Sequence, residues 1–204
     1  LGGLFSGGST LRGPRKGSDY ETSVTISFEE SIRGVTKTLN LESGQTHARI
    51  PAGVRNDQRI KLKGKGGPGF NGGPHGDLLV SISVIAHPVF GRDGNNLTIT
   101  VPIRFDEAVL GAEVAVPVFD GPPVTIRIPT GTKSGSKFRA RGKGVIKSDG
   151  SSGDLIVTVE IAVPKDISPR AAFAITEFRN ETADDDPRAE LMRKAGVPVS
   201  TGDI

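Results

Sequence analysis

The chain has 204 residues, 26 Lys plus Arg against 23 Asp plus Glu, a formal charge of +3, and no Cys. That length suffices for one large domain or two small ones with separate cores. The lack of Cys excludes disulfides and thiolate metal sites, the charge is too small to argue for nucleic acid, and no apolar run approaches the ~20 residues that span a bilayer.

Residues 1–18 carry glycines at 2, 3, 7, 8, 13 and 17 and one aromatic residue, Phe5. Such a stretch loses much entropy on ordering, so a flexible Gly/Phe-rich linker is expected. The chain lacks an initial Met and a signal-peptide pattern, and is read as a fragment or processed piece with a partner domain upstream. Over 22–28 the pattern alternates strictly, with Val24, Ile26 and Phe28 on one face of a strand. Ser27-Phe28-Glu29-Glu30 has the form of a capping box and Gly34 that of a helix stop, predicting one or two helical turns. Lys37, Leu39 and Leu41 mark a second strand; others are expected near 46–50, 58–63 and 78–86, separated by a Gly/Pro loop over 64–76. Asp93-Gly94 is a tight-turn signal before an alternating run from Leu97 to Phe105.

The chain then repeats itself. Ile50-Pro51-Ala52-Gly53 recurs as Ile128-Pro129-Thr130-Gly131 at a shift of 78. Phe28-Glu29-Glu30 with Gly34 recurs as Phe105-Asp106-Glu107 with Gly111, and Gly76-Asp77-Leu78 as Gly153-Asp154-Leu155, both at a shift of 77. Three blocks in one order imply a tandem duplication. The fold class expected is therefore mainly β: two homologous sandwich or barrel-like domains with short helices, over 19–88 and 89–166. After Pro164 the period becomes helical, with Ser168 as N-cap, Pro169 at the first helical position and an apolar face of Ala171, Ala174, Ile175 and Phe178. A shorter helix follows Asp184-Asp185-Asp186-Pro187, and residues 197–204 are read as frayed.

No catalytic constellation is visible. His47, His75 and His87 lie apart, without metal-ligand spacing, and the Gly64-Lys65-Gly66-Gly67 run lacks the ending of a phosphate loop. No enzyme activity, metal or cofactor is expected. Two basic rows stand out: Arg55, Arg59, Lys61, Lys63 and Lys65, then Lys133, Lys137, Arg139, Arg141, Lys143 and Lys147. Alternation puts them on solvent faces of strands, where guarding a sheet edge is the first reading. Only Phe138 lies nearby for base stacking, which disfavours nucleic acid.

The blocks Ile50-Pro51-Ala52-Gly53-Val54, Gly76-Asp77-Leu78, His87-Pro88-x-Phe90-x-Arg92-Asp93-Gly94, Phe119-Asp120-Gly121 and Gly153-Asp154-Leu155 together resemble the C-terminal substrate-binding region of DnaJ-type (J-domain) co-chaperones. The resemblance covers about 19–180. Many members insert a zinc-binding Cys-rich module after the second strand; here Leu41 and Thr46 are joined by a tight link, so the chain resembles the zinc-less subgroup or one from which that module has been removed. The resemblance implies a co-chaperone fragment that binds unfolded client polypeptides and works with a DnaK-type chaperone. It places a shallow apolar groove at Val24, Leu39, Leu41 and Val80, and an acidic-tail contact at Lys37. It also implies a homodimer through the helical segment 167–204, with Phe173, Ile175 and Phe178 at the contact. A cytoplasmic location and no membrane partner are expected. The alternative is a β module binding nucleic acid or another polyanion through the basic rows.

Overall fold

The computed structural model describes residues 13–41, 44–146 and 150–196. The tight link at 42–43, the first twelve residues of the expected linker and the expected frayed end at 197–204 lie outside the described residues. The chain divides into two compact units, 1–162 and 163–204.

The first unit holds both repeats. In the first, β1 (Tyr20–Ile26) runs parallel to β5 (Leu78–Val84), and β4 (Arg59–Leu62) pairs antiparallel on the far side of β5. A separate ribbon, β2 (Val35–Leu41) with β3 (Gly44–Ile50), packs its inward side chains against that sheet. Strand alternation decides which side chains meet: Ile26, Leu39, Ala48, Ile50, Leu78, Val80 and Ile82, with Val54 from the turn, form the first core. The second repeat reproduces this plan. β7 (Asn96–Arg104) runs parallel to β11 (Leu155–Ala162), flanked by β10 (Lys137–Ala140) and by β6 (Phe90–Asp93), while β8 (Ala112–Val118) and β9 (Gly121–Ile128) form the ribbon. Tyr20 pairs with Leu78, and Leu97 with Leu155, which is the same register displaced by 77. The expected mainly β fold of two homologous halves is what the chain adopts.

Helix α1 (Phe28–Arg33) is where the two repeats meet. The Ser27 hydroxyl accepts the Glu30 N–H at 3.1 Å and the Glu30 carboxylate accepts the Ser27 N–H at 2.9 Å, the reciprocal box expected there. The helix stops at Gly34, whose φ of 78° suits glycine, and where a Cβ would sit 2.7 Å from the Ala52 nitrogen. The box also corrects the strand reading of Phe28. β1 ends at Ile26, the period changes from 2 to 3.6, and Phe28 leaves the Val24–Ile26 face to join Ile32 in the core of the second repeat. The counterpart α2 (Phe105–Leu110) keeps the Glu107 carboxylate on the Arg104 N–H at 2.7 Å, but its Phe105 is half exposed.

Residues 13–18 fall within the stretch expected as linker, yet they are tied to the Gly/Pro loop. Arg15 exchanges two backbone bonds with Phe70 at 3.0 Å, and Gly67 donates to the Ser18 carbonyl at 2.8 Å. Close approach explains the loop's composition: a Cβ on Gly76 would lie 2.0 Å from the Ser18 oxygen.

The second unit carries α3 (Pro169–Glu181) and α4 (Ala189–Lys194). Ser168 caps α3 by accepting the Ala171 N–H at 3.2 Å, and Pro169 opens the helix, as the sequence predicts. Neither helix has a buried residue; Phe173 is 67% and Ile175 56% exposed.

Candidate peptide-binding site

The four residues assigned to the groove belong to one apolar cluster but differ in reach. Val24 on β1 and Leu41 at the end of β2 are half-buried. Leu39 is 7% exposed and Val80, in the middle of β5, is 1% exposed. Val24 and Leu41 therefore form the accessible part, Leu39 lies deeper, and Val80 belongs to the core beneath. Beside them β2 pairs only with β3 among the described residues, which leaves its outer backbone groups without a strand partner.

Lys37 shares the Val35–Leu39–Leu41 face of β2 by alternation and is partly exposed. Its ammonium donates to Glu30 Oε1 at 2.6 Å, joining β2 to the helix cap. The Lys37 ammonium, followed by the Ser27 N–H, holds the Glu30 carboxyl below its ordinary range. Lys37 is thus a partly exposed cation with an internal carboxylate partner.

Three further groups fix the scaffold, and sequence reading did not assign them roles. The first is Arg92 on β6. Its Nη1 and Nη2 donate to the carbonyls of Val54 and Gly53 and its Nε to that of Gly94, each at 2.8 Å. One planar cation thereby joins the first repeat's Pro-x-Gly turn to the second repeat's hairpin. The second is an aromatic cluster of Phe28, His87, Phe90 and Phe119, with ring centroids 5.2–6.3 Å apart. His87 Nδ1 accepts the N–H groups of Val89 and Phe90 at 3.0 Å, which puts the ring proton on Nε2, 3.6 Å from Glu29. The third is Asp77, which accepts the ammonium groups of Lys16 and Lys61 at 2.8 Å and the Gly64 N–H at 2.9 Å. Lys16 first, then Lys61 and Gly64, hold its carboxyl well below the usual carboxylate range. The motif His87–Gly94 was legible as a block; its function as an interdomain clamp needed the partners at 53 and 54.

A cleft of about 860 Å³ runs between the repeats, walled by Ile32, Pro51, Phe119 and Val145 and spanned by the Arg33–Asp120 ion pair at 2.7 Å. Among the described residues no group of His, Asp or Glu is placed to hold a metal ion, and no helix is long and apolar enough to cross a membrane.

Two homologous β halves, each a sheet packed on a ribbon, define a tandem-duplicated β module. Comparison with known proteins gives its family. The model of the DnaJ C terminal domain matches residues 20–164, and the chain belongs to that family. It is 40% identical to Chaperone protein DnaJ 1 of Streptomyces avermitilis, over 95% of this chain and 66% of the relative. It is 55% identical to Chaperone protein DnaJ 2 of Cutibacterium acnes over 69% of this chain and 37% of the relative, and 46% identical to Chaperone protein DnaJ 1 of Mycobacterium tuberculosis over 70% and 34%. The chain thus spans just under two thirds of the Streptomyces relative's length. That match extends over 263 positions, more than the 204 residues present here, so the relative carries a segment without a counterpart in this chain.

Proposed function

We propose that this chain is the client-holding part of a DnaJ-type co-chaperone. It binds unfolded, apolar polypeptide segments beside β2 and presents them to a DnaK-type chaperone. The observation that carries this reading is the pairing of half-exposed apolar side chains, Val24 and Leu41, with an unpaired strand edge on β2. An extended segment can add to such an edge through backbone bonds and seat alternate side chains in the apolar surface. Lys37 at the margin takes the carboxylate of an acidic tail on the partner chaperone, exchanging it for Glu30. The chemistry is binding and release, with no bond made or broken. Two copies joined through 167–204, with Phe173, Ile175 and Phe178 at the contact, would place two shallow sites on one particle and raise apparent affinity by proximity.

Replacing Leu41 by Asp and Val24 by Thr tests the site, because both are partly exposed and the fold should survive. Suppression of aggregation of a denatured client should drop while circular dichroism stays unchanged. Undiminished suppression by a folded double variant would remove the assignment. Deleting 168–204 and measuring mass by sedimentation tests the dimer, which a monomeric full chain at micromolar concentration would refute.

A further inference from the structure

The two basic rows are one feature used twice. At a shift of 78, Arg59, Lys61, Lys63 and Lys65 become Lys137, Arg139, Arg141 and Lys143, so positive charge is kept at all four positions while the residue type changes at three. Exposure alone does not preserve chemistry in this duplication. The exposed positions of β2, Thr36, Thr38 and Asn40, became Glu113, Ala115 and Pro117 in β8.

The fold puts both rows in the same place. β4 and β10 are each the last strand of their sheet, with β5 or β11 on one side and no strand on the other among the described residues. Arg59 and Lys61, like Lys137 and Arg139, alternate outward, whereas Ile60, Leu62, Phe138 and Ala140 pack toward the cores. Lys63 and Arg141 are exposed at the first turn position after β4 and β10, just ahead of Gly64 and Gly142, both at φ 66°. Internal countercharge is sparse. In the first repeat Asp77 holds Lys61 at 2.8 Å; in the second the equivalent Asp154 stands 3.7 Å from Arg139, with its other oxygen on the Gly142 N–H at 2.9 Å. Neither Lys137 nor Arg141 takes part in an ion pair among the described residues.

We infer that the outer edge of β10, with Lys137, Arg139 and Arg141, is a second docking surface that takes an extended acidic polypeptide as an added strand. Alternate residues of a strand advance by ~6.4–6.8 Å, and an extended partner presents its own alternate side chains at that same step. A segment with Asp or Glu at every second position therefore meets the row in register while its backbone pairs with the open edge. Charge is the filter: the row repels basic strands, leaves its own charges uncompensated beside neutral ones, and admits an acidic one. The row offers no ring for base stacking, since Phe138 packs against the core, so it suits a polypeptide better than nucleic acid. The surface is separate from the groove beside β2, so its failure would leave the client-holding proposal standing.

The test uses the full chain and fluorescence anisotropy with three labelled probes: a twelve-residue peptide alternating Glu and Thr, a peptide of the same composition with its Glu residues in one block, and a twelve-nucleotide single-stranded DNA. We expect the alternating peptide to bind several-fold more tightly than the block peptide, and to weaken as salt is raised. The change Lys137→Glu/Arg139→Glu/Arg141→Glu should weaken it by roughly tenfold or more, with capture of an apolar client unchanged. If the reversal disturbs the fold, the neutral triple Lys137→Gln/Arg139→Gln/Arg141→Gln decides the case by the same readout. Equal binding of the two peptides would overturn the strand register. Tighter binding of the DNA than of either peptide would assign the row to nucleic acid instead, and no binding at low salt would reduce it to an edge guard.

Discussion

Replacing Arg92 by Ala should loosen the junction between the two halves of the β module, and its cost can be worked from the three bonds it makes. Each is 2.8 Å long, has an ionised donor, and ends on a backbone carbonyl, at Gly53, Val54 and Gly94. Hydrogen bonds from charged groups contribute about 1.5–3 kcal/mol each. The sum would be about 4–9 kcal/mol if the carbonyls stayed dry. They do not all stay dry: Gly53 and Gly94 are only half-buried, whereas Val54 is buried at 2% exposure. Water replaces the bonds at the glycines, and we expect a net loss of about 2–3 kcal/mol, mostly from the stranded Val54 carbonyl. Urea unfolding followed by far-ultraviolet circular dichroism reads this loss as a lower midpoint. Hydrogen exchange adds location, because protection should fall first around residues 51–56. Arg92→Lys is the informative companion: a lysine delivers a point charge and cannot span three divergent carbonyls, so it should rescue little. A loss below about 0.5 kcal/mol, or full rescue by lysine, would refute the clamp.

Phe28→Ala removes a buried ring that two other rings, His87 and Phe119, contact, and should cost about 3–5 kcal/mol by calorimetry or urea unfolding; a cost near zero would mean the two halves do not depend on that packing. Gly34→Ala should destabilise by about 1–3 kcal/mol, since φ is 78° and the new methyl carbon would sit 2.7 Å from a backbone nitrogen; a neutral result would show that the turn can shift. Asp77 supplies a pH dependence. Its carboxyl is held low in the folded chain, so its contribution is fully present above the unfolded value near ~3.9 and is lost as pH falls through the folded one. Stability of the parent should therefore decline in acid more steeply than that of Asp77→Asn, and parallel curves would show that the Lys16–Asp77–Lys61 tie does not stabilise the fold.

Local patterning made most of the elements legible. Strict alternation marked β1, β2 and β7, the capping box marked α1, and Ser168-Pro169 marked the start of α3. The duplication made the fold class legible, because two copies of one pattern must close two similar cores. What the sequence could not disclose was which core each side chain joins. Phe28 reads as a β1 residue until the Ser27 cap turns the chain, and nothing local says that the resulting helix faces the other repeat. Arg92 and Asp77 were visible as parts of motifs, but their partners lie 38 and 61 positions away, at Val54 and Lys16. The groove residues were placed by resemblance to a family. Alternation alone cannot distinguish a half-exposed Leu41 from a buried Leu39, since both point to one side of β2.

Duplication gives the two halves one backbone, so their differences locate what each half does. Val24, Leu39, Leu41 and Val80 correspond at a shift of 77 to Val101, Val116, Val118 and Val157, so the apolar material of the groove is present twice. The margin is not. Lys37 corresponds to Val114, and although Glu30 has its counterpart in Glu107, no cation stands opposite it at the equivalent place on β8. Among the described residues, only the first half thus carries a lysine–glutamate pair that joins the ribbon to the helix cap. The second half carries its spare charge on β10, where Asp154 stands farther from Arg139 than Asp77 does from Lys61. The first repeat has kept apolar surface and a lysine–glutamate pair together; the second has kept the apolar surface but moved its accessible positive charge to an open strand edge. That division argues for two acidic ligands of different form, a short carboxylate tail at Lys37 and an extended strand at β10, read by one duplicated scaffold.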